Sequence, residues 1–251
     1  MRTLDFNSDL GESFGLWERG ADEDMMRCIS SANVACGFHA GDPTTMWTTV
    51  ERARQHGVAV GAHPGYPDLM GFGRRTLGAD PRDIHNYVLY QVGALKAFLT
   101  AAGLELHHVK PHGALYMQAL DDKAIAHAIA EAVARLDTGL PVYTLEGSEL
   151  WQAALAVGLK PVREFFADRP IHQDGSVVMF RWWEAFEATP QAVARRAVDA
   201  AVKGEVISLE GQPVKVCAET ICVHSDTPGA DRLGPAVKAA LEESGVRIQA
   251  I

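Results

Sequence analysis

The chain has 251 residues, is 47% hydrophobic and carries a formal net charge of −9 at neutral pH. Length and apolar content suit one domain of barrel type over 1–251, while the acidic balance offers no footprint for a phosphate backbone or an anionic lipid surface and so excludes nucleic acid and membrane as expected partners. The opening MRTLDFNSDLGESFG has no apolar run after its basic residue, and no stretch approaches the roughly 20 apolar residues of a membrane helix, so a cytoplasmic protein is expected.

In chain order, short β-rich runs alternate with longer stretches of helical periodicity. A strand is expected at Thr3 to Asn7, a helix at Asp22 to Ser30, a strand at Asn33 to Phe38, a helix at Pro43 to Gln55 and a strand at Val58 to Ala62. The pattern continues with a helix at Pro81 to Ala102, a strand at Leu106 to Lys110, a helix at Asp121 to Leu136 and a strand at Pro141 to Leu145. It closes with a helix at Ser148 to Val157, a strand at Val162 to Phe166, a helix at Pro190 to Lys203, strands at Val206 to Leu209 and Val216 to Val223, and a helix at Pro235 to Ser244. Start and stop signals support these bounds, for example Asp80-Pro81 before one helix and His56-Gly57 after another. The alternation implies an α/β fold with a mainly parallel sheet, a single-domain irregular (β/α) barrel that is TIM-barrel-like. The least regular stretches, Pro64 to Ala79 and Ala167 to Glu187, are candidate lids or surface loops.

Polar groups recur where the apolar runs stop. Asn7, Asp9 and Glu12 follow the first run, His39 and Asp42 the second, and His63 the third; Lys110 and His112 end the fourth, Asp168 and Arg169 follow the sixth, and His224 and Asp226 the last. In a parallel barrel these ends open on one face, so residues far apart in sequence converge there. Gly and Pro stand beside them, residues that let backbone approach a ligand closely. The remaining histidines, His56, His85, His107, His127 and His172, read as background. Cys28, Cys36, Cys217 and Cys222 form no CxxC pair and fit reduced thiols; Cys36, three residues before His39, reads as core packing rather than as a nucleophile. His39, His63, His112 and His224 beside Asp9 or Asp42 could hold a metal, but no HxH pair and no HExxH is present, so a metal in the pocket is not favoured. There is no GxSxG elbow, no GxxxxGK[ST] and no strand-linked GxGxxG; Gly71-Phe72-Gly73-Arg74-Arg75 could offer donors to an anion.

The segments DFNSDLGE at 5–12, SSANVACGFHAGD at 30–42, GAHPGYPD at 61–68 and HVKPHGALY at 108–116, followed by FGR at 72–74, FADR at 166–169, DGS at 174–176 and ICVH at 221–224, together resemble the 5-oxoprolinase A-subunit family, also called the lactam-utilisation family. The resemblance spans nearly the whole chain, departing after DGS at 177–183, where Trp182 and Trp183 stand. It implies a barrel of the glycoside hydrolase/deacetylase type. It also implies ATP-dependent opening of the lactam amide of 5-oxo-L-proline to L-glutamate in complex with two further subunits. On this reading Asp9, Glu12, His63, Lys110 and His112 are catalytic candidates. Asn7, His39, Asp42, Arg74, Asp168, Arg169, His224 and Asp226 bind substrate. ATP is a co-substrate bound with or by the partners, and a homo-oligomer is left open. Two rival readings are a self-sufficient metal-dependent hydrolase of deacetylase type and a non-catalytic scaffold of a lactam-metabolising complex.

Overall fold

In a computed structural model, which describes residues 2–251, the first strand outlasts the apolar run that announces it. The elements run β1 (Arg2–Leu10), α1 (Asp22–Met26), β2 (Ser31–Ala35), α2 (Pro43–His56), β3 (Ala59–His63), α3 (Pro81–Ala102), α4 (Gly113–Asp121), α5 (Lys123–Leu136), β4 (Pro141–Thr144), α6 (Glu149–Ala156), β5 (Lys160–Phe166), α7 (Pro190–Val198), β6 (Glu205–Ile207), β7 (Pro213–Lys215), β8 (Thr220–Cys222), α8 (Ala230–Glu243) and β9 (Val246–Ile248). They fall into two units interleaved in sequence: one combines the segment ending at Ser8 with Gly20–Ser31 and Arg163–Ile251, the other Asp9–Arg19 with Ala32–Val162. Among the described residues no helix is long and apolar enough to cross a membrane.

In the first unit β1 pairs in parallel with β8 and β9, and β8 in parallel with β5. Strand β1 carries buried polar residues because its neighbours satisfy them: the Asp5 carboxylate accepts from the hydroxyls of Ser30 (2.6 Å), Ser31 (2.7 Å) and Thr220 (2.6 Å). Helices α7 and α8 pack together, with α1 against α8. Three expectations change here. The run at Val206 to Leu209 forms no parallel strand; β6 makes an antiparallel pair with β7 around a turn at Gly211, whose φ is 78°. The run at Val216 to Val223 pairs only over Thr220–Cys222, since its first residues follow directly from the hairpin. Helix α8 begins at Ala230 and holds Pro235 inside it, so that proline does not open the helix as expected.

In the second unit the helix at Pro81–Ala102 matches its sequence limits because both signals are present: the Asp80 side chain accepts from the Arg82 N–H, and Gly103 ends the helix at φ 72°. Its buried face, Ile84, Val88, Gln91, Val92, Leu95 and Leu99, keeps helical spacing, and the helix packs against α2 and α5. The expected strand at Leu106 to Lys110 forms no named strand, yet it runs where one would. Lys110 N–H donates to Ala62 O and Ala62 N–H to His108 O, while Val109 N–H donates to Pro141 O and Tyr143 N–H to Val109 O. The helix expected at Asp121 to Leu136 forms as α5, capped by the Asp122 carboxylate through the N–H groups of Ala124 and Ile125, and a further, unexpected helix, α4, precedes it. Gly113 at the head of α4, with φ 50°, looks like a turn in sequence.

Gly61 in β3 has no room for a side chain, because a Cβ there would stand 2.2 Å from Nε2 of His108. That ring is fixed by stacking on Tyr143 at 4.0 Å and by its 2.6 Å bond to Asn33 Oδ1. Gly61→Ala is therefore expected to lower stability by about 1–3 kcal/mol in urea titration, as overpacking of a buried site does; unchanged stability would show that the ring can step aside.

Candidate active site

Within the second unit the chain delivers Asp9, Glu12, His39, His63, Lys110 and His112 to one place, from the end of β1, the loop after it, the loop after β2, the end of β3 and the segment before α4. All six are buried. The Asp9 carboxylate is held on one oxygen: Oδ1 accepts from Lys110 Nζ at 3.0 Å and from Asn33 Nδ2 at 2.8 Å. Its Oδ2 stands 3.3 Å from His63 Nε2. Asn33 is in turn fixed by His108, whose Nε2 donates to Asn33 Oδ1. Asp9 is thus both pocket residue and buried ion-pair partner, whereas its sequence position alone suggests a carboxylate with no supporting part in the core.

The three site histidines pack as a unit. His39 and His112 stack with centroids 3.6 Å apart and planes 4° from parallel, and His63 meets both edge-on. His63 Nδ1 lies 2.7 Å from Lys110 O and His112 Nε2 lies 2.8 Å from Phe72 O. A carbonyl only accepts, so each of those nitrogens carries its proton, leaving His63 Nε2 and His112 Nδ1 to face each other at 3.0 Å. Glu12 Oε1 lies 3.4 Å from His39 Nε2 and 3.5 Å from His112 Nδ1. Burial, the repulsion His39 would feel from His63 were both protonated, and the Arg74 guanidinium hold His39 well below the usual imidazole range against the pull of Asp9. Burial, then His39, His63 and Arg74, does the same for His112. Arg74 lies over the Phe72 ring at 5.0 Å.

Glycines admit this packing. A Cβ on Gly65 would meet His39 Nδ1 at 2.6 Å, and one on Gly73 would meet both His112 Cδ2 and His39 Cβ at 2.7 Å. Burial raises the Cys36 thiol to about 12, consistent with packing and inconsistent with a thiolate nucleophile.

The other residues named from the sequence make the following contacts. Asp42 caps α2, accepting from Thr44 N–H, Thr45 N–H and the Thr45 hydroxyl, and it also receives the Gly15 N–H at 2.9 Å. In the first unit Asn7 donates to Thr220 Oγ1 at 2.7 Å and Glu164 Oε1 at 3.3 Å. Asp168 is a fully buried hub that accepts from Arg169 Nη1 (2.7 Å), Thr227 Oγ1 (2.7 Å) and the His224 N–H (3.0 Å), with His224 Nδ1 also 3.0 Å away. Burial pushes this carboxyl up, but Arg169, His224 and the hydrogen bonds outweigh it and hold it well below the usual range. Arg169 lies over Trp182 at 4.5 Å, and its Nη2 is 4.0 Å from Asp226. Arg196 reaches from α7 to the carbonyls of Ala167 and Arg169. Sequence reasoning misses Asn33, His108, Thr227 and Arg196; a polar Asn inside the apolar run SANVAC is the one local signal among them.

Fold and site define an α/β protein with parallel strands and a buried carboxylate–imidazole centre. Over residues 4–251 the chain matches the model of the LamB/YcsF family, and it belongs to that family. Curated relatives named as the A-subunit of 5-oxoprolinase include that of Syntrophobacter fumaroxidans, 49% identical over 100% of this chain and 99% of the relative, and that of Heliobacterium modesticaldum, 47% identical over 98% and 97%. The crystal structure of a lactam utilization protein from Thermus thermophilus superposes with a TM-score of 0.94 at 45% identity, covering 99% of this chain and 100% of that one. A T48 deacetylase shares the fold alone, with a TM-score of 0.50 at 13% identity, 98% of this chain and 87% of that chain being covered.

The Asp42 cap has a pH signature. The bond from Gly15 and those from Thr45 and Thr44 hold its carboxyl at about 2 against an ordinary 3.8. Its contribution is therefore complete above about pH 4 and lost as pH falls through 2. Asp42→Ala is expected to lower stability by about 1 kcal/mol at pH 7, with the gap to wild type closing toward pH 2; a gap independent of pH would refute the charged cap.

Proposed function

We propose that this chain is the A-subunit of a 5-oxoprolinase, hydrolysing the lactam amide of 5-oxo-L-proline to L-glutamate at the Asp9–Glu12–His63–Lys110–His112 centre, in complex with two partner subunits. The observation that carries the reading is that these five residues, all within segments that match the family's motifs, converge in a single buried cluster in which Asp9 meets Lys110 and Glu12 meets His112. An unstrained lactam carbonyl is a poor electrophile. ATP, handled with or by the partners, supplies phosphorylation of the amide oxygen and makes the carbon attackable. Asp9 is then the carboxylate placed to take a proton from water, with Glu12 and His63 able to share that work only while they hold no other ligand, and the Lys110 ammonium and Arg74 guanidinium neutralise charge developing on oxygen. The buried, water-poor setting strengthens each of these interactions.

The division of labour has a direct assay: the isolated chain with ATP and 5-oxoproline is expected to release neither phosphate nor glutamate at the rate of the complex, and turnover equal to that of the complex would overturn it.

The two roles of Asp9 are separable. Asp9→Asn removes the charge 3.0 Å from the buried Lys110 ammonium and is expected to lose about 3–5 kcal/mol of stability and roughly 10²- to 10⁴-fold in turnover of the complex. Thermal melting of the variant reads the first effect, and turnover of its complex at a temperature well below that melting point reads the second. Near wild-type turnover in the folded variant would leave Asp9 a structural residue.

A further inference from the structure

The proton placements around His63 and His112 leave a conflict. Both rings have one nitrogen committed as a donor to a backbone carbonyl, Lys110 O and Phe72 O. With both rings neutral their other nitrogens each bear a lone pair and meet at 3.0 Å, and the Asp9 carboxylate faces that of His63 at 3.3 Å. Neither ring nitrogen of the buried His39 makes a hydrogen bond among the described residues, and its Nε2 stands 3.4 Å from Glu12 Oε1. Electron-rich atoms from four buried side chains, all within 4.8 Å of one another, thus converge. Like dipoles and lone pairs repel at such distances unless something positive lies between them.

We infer that Glu12, His39, His63 and His112 form a binding site for one divalent transition-metal ion of the zinc class. Atoms about 2.0–2.1 Å from a common ion stand about 2.8–3.0 Å apart along an octahedral edge and about 3.3–3.4 Å along a tetrahedral one; three of the donor pairs here measure 3.0, 3.4 and 3.5 Å and the whole set lies within 4.8 Å, so small side-chain shifts bring it onto one ion. Three imidazoles and one carboxylate are a donor set for zinc and its first-row neighbours rather than for magnesium or calcium. The backbone carbonyls of Lys110 and Phe72 act as the outer partners that fix which nitrogen of His63 and His112 is offered. Asp9 stands beside the set, anchored by Lys110 and Asn33 instead of serving as a ligand. The pattern escapes sequence motifs because the four residues sit at positions 12, 39, 63 and 112, on separate segments. An ion here would polarise an oxygen brought to it. The site is measurable on the isolated chain, so it stands or falls apart from the substrate and partners proposed above.

The experiment is metal titration of the isolated chain. After stripping with a chelator, wild type is expected to take up one Zn²⁺ per chain, measured by elemental analysis after desalting, with a rise in melting temperature. In His39→Ala and Glu12→Gln the affinity should fall at least about 10- to 100-fold, as loss of even an outer partner does, while His172→Ala, whose ring lies on the surface beside Glu210, should bind as wild type does. Should the ligand variants fail to fold, Co²⁺ added to stripped wild type is expected to show the visible absorption of a low-coordinate nitrogen–oxygen site. No uptake by wild type, equal uptake by the folded ligand variants, or a Co²⁺ spectrum matching the free aqueous ion would each overturn the site and leave a shared proton as the link between His63 and His112.

Discussion

The Asp9 carboxylate, out of water and paired with the Lys110 ammonium, is the constraint on which the second unit's polar centre depends. Two charges in an apolar surround are tolerated only when geometry and further hydrogen bonds compensate their lost hydration. Asn33 supplies that compensation on Asp9, and His108 fixes Asn33. The Lys110 carbonyl, carried by the same residue, orients His63. One residue therefore presents its ammonium to a carboxylate and its backbone to an imidazole, tying the end of β1 to the end of β3 and to the segment that follows Val109.

Close packing of aromatic rings is the second constraint, and glycine makes it attainable. Imidazoles stacked at 3.6 Å with Phe72 at their edges leave no space for neighbouring side chains. At Gly65 and Gly73 the backbone comes against the rings themselves, closer than any Cβ could. The glycines beside the site histidines thus serve the histidines' own placement, where the sequence suggests the close approach of a ligand.

The first unit shows the same chemistry used for anchorage. Asp168 collects donors from Arg169, Thr227 and His224 until its carboxylate is fully committed, and Arg196 pins the backbone on either side of it. A buried carboxylate of this kind stabilises by satisfying its neighbours, and nothing in its residue type separates it from Asp9. What separates them is the surroundings: Asp9 stands beside Glu12 and three histidines packed on one another, whereas Asp168 faces the single imidazole of His224 amid hydrogen-bond donors.

The sequence by itself determined the α/β class, the family, the limits of the helix at Pro81–Ala102 and the list of polar residues at strand ends, because capping, periodicity and motif order are local properties of the chain. It also marked six of the residues that converge in the second unit. The tertiary structure alone decided that Asp42 caps a helix, that Leu106 to Lys110 runs between β3 and β4 as bridges without a named strand, that Val206 to Leu209 turns back in a hairpin, and that Asn33 and His108 support Asp9. Above all it decided which nitrogen of His63 and of His112 carries a proton. That depends on the Phe72 and Lys110 carbonyls, and the distance between groups far apart in sequence is set by packing, which no local pattern encodes.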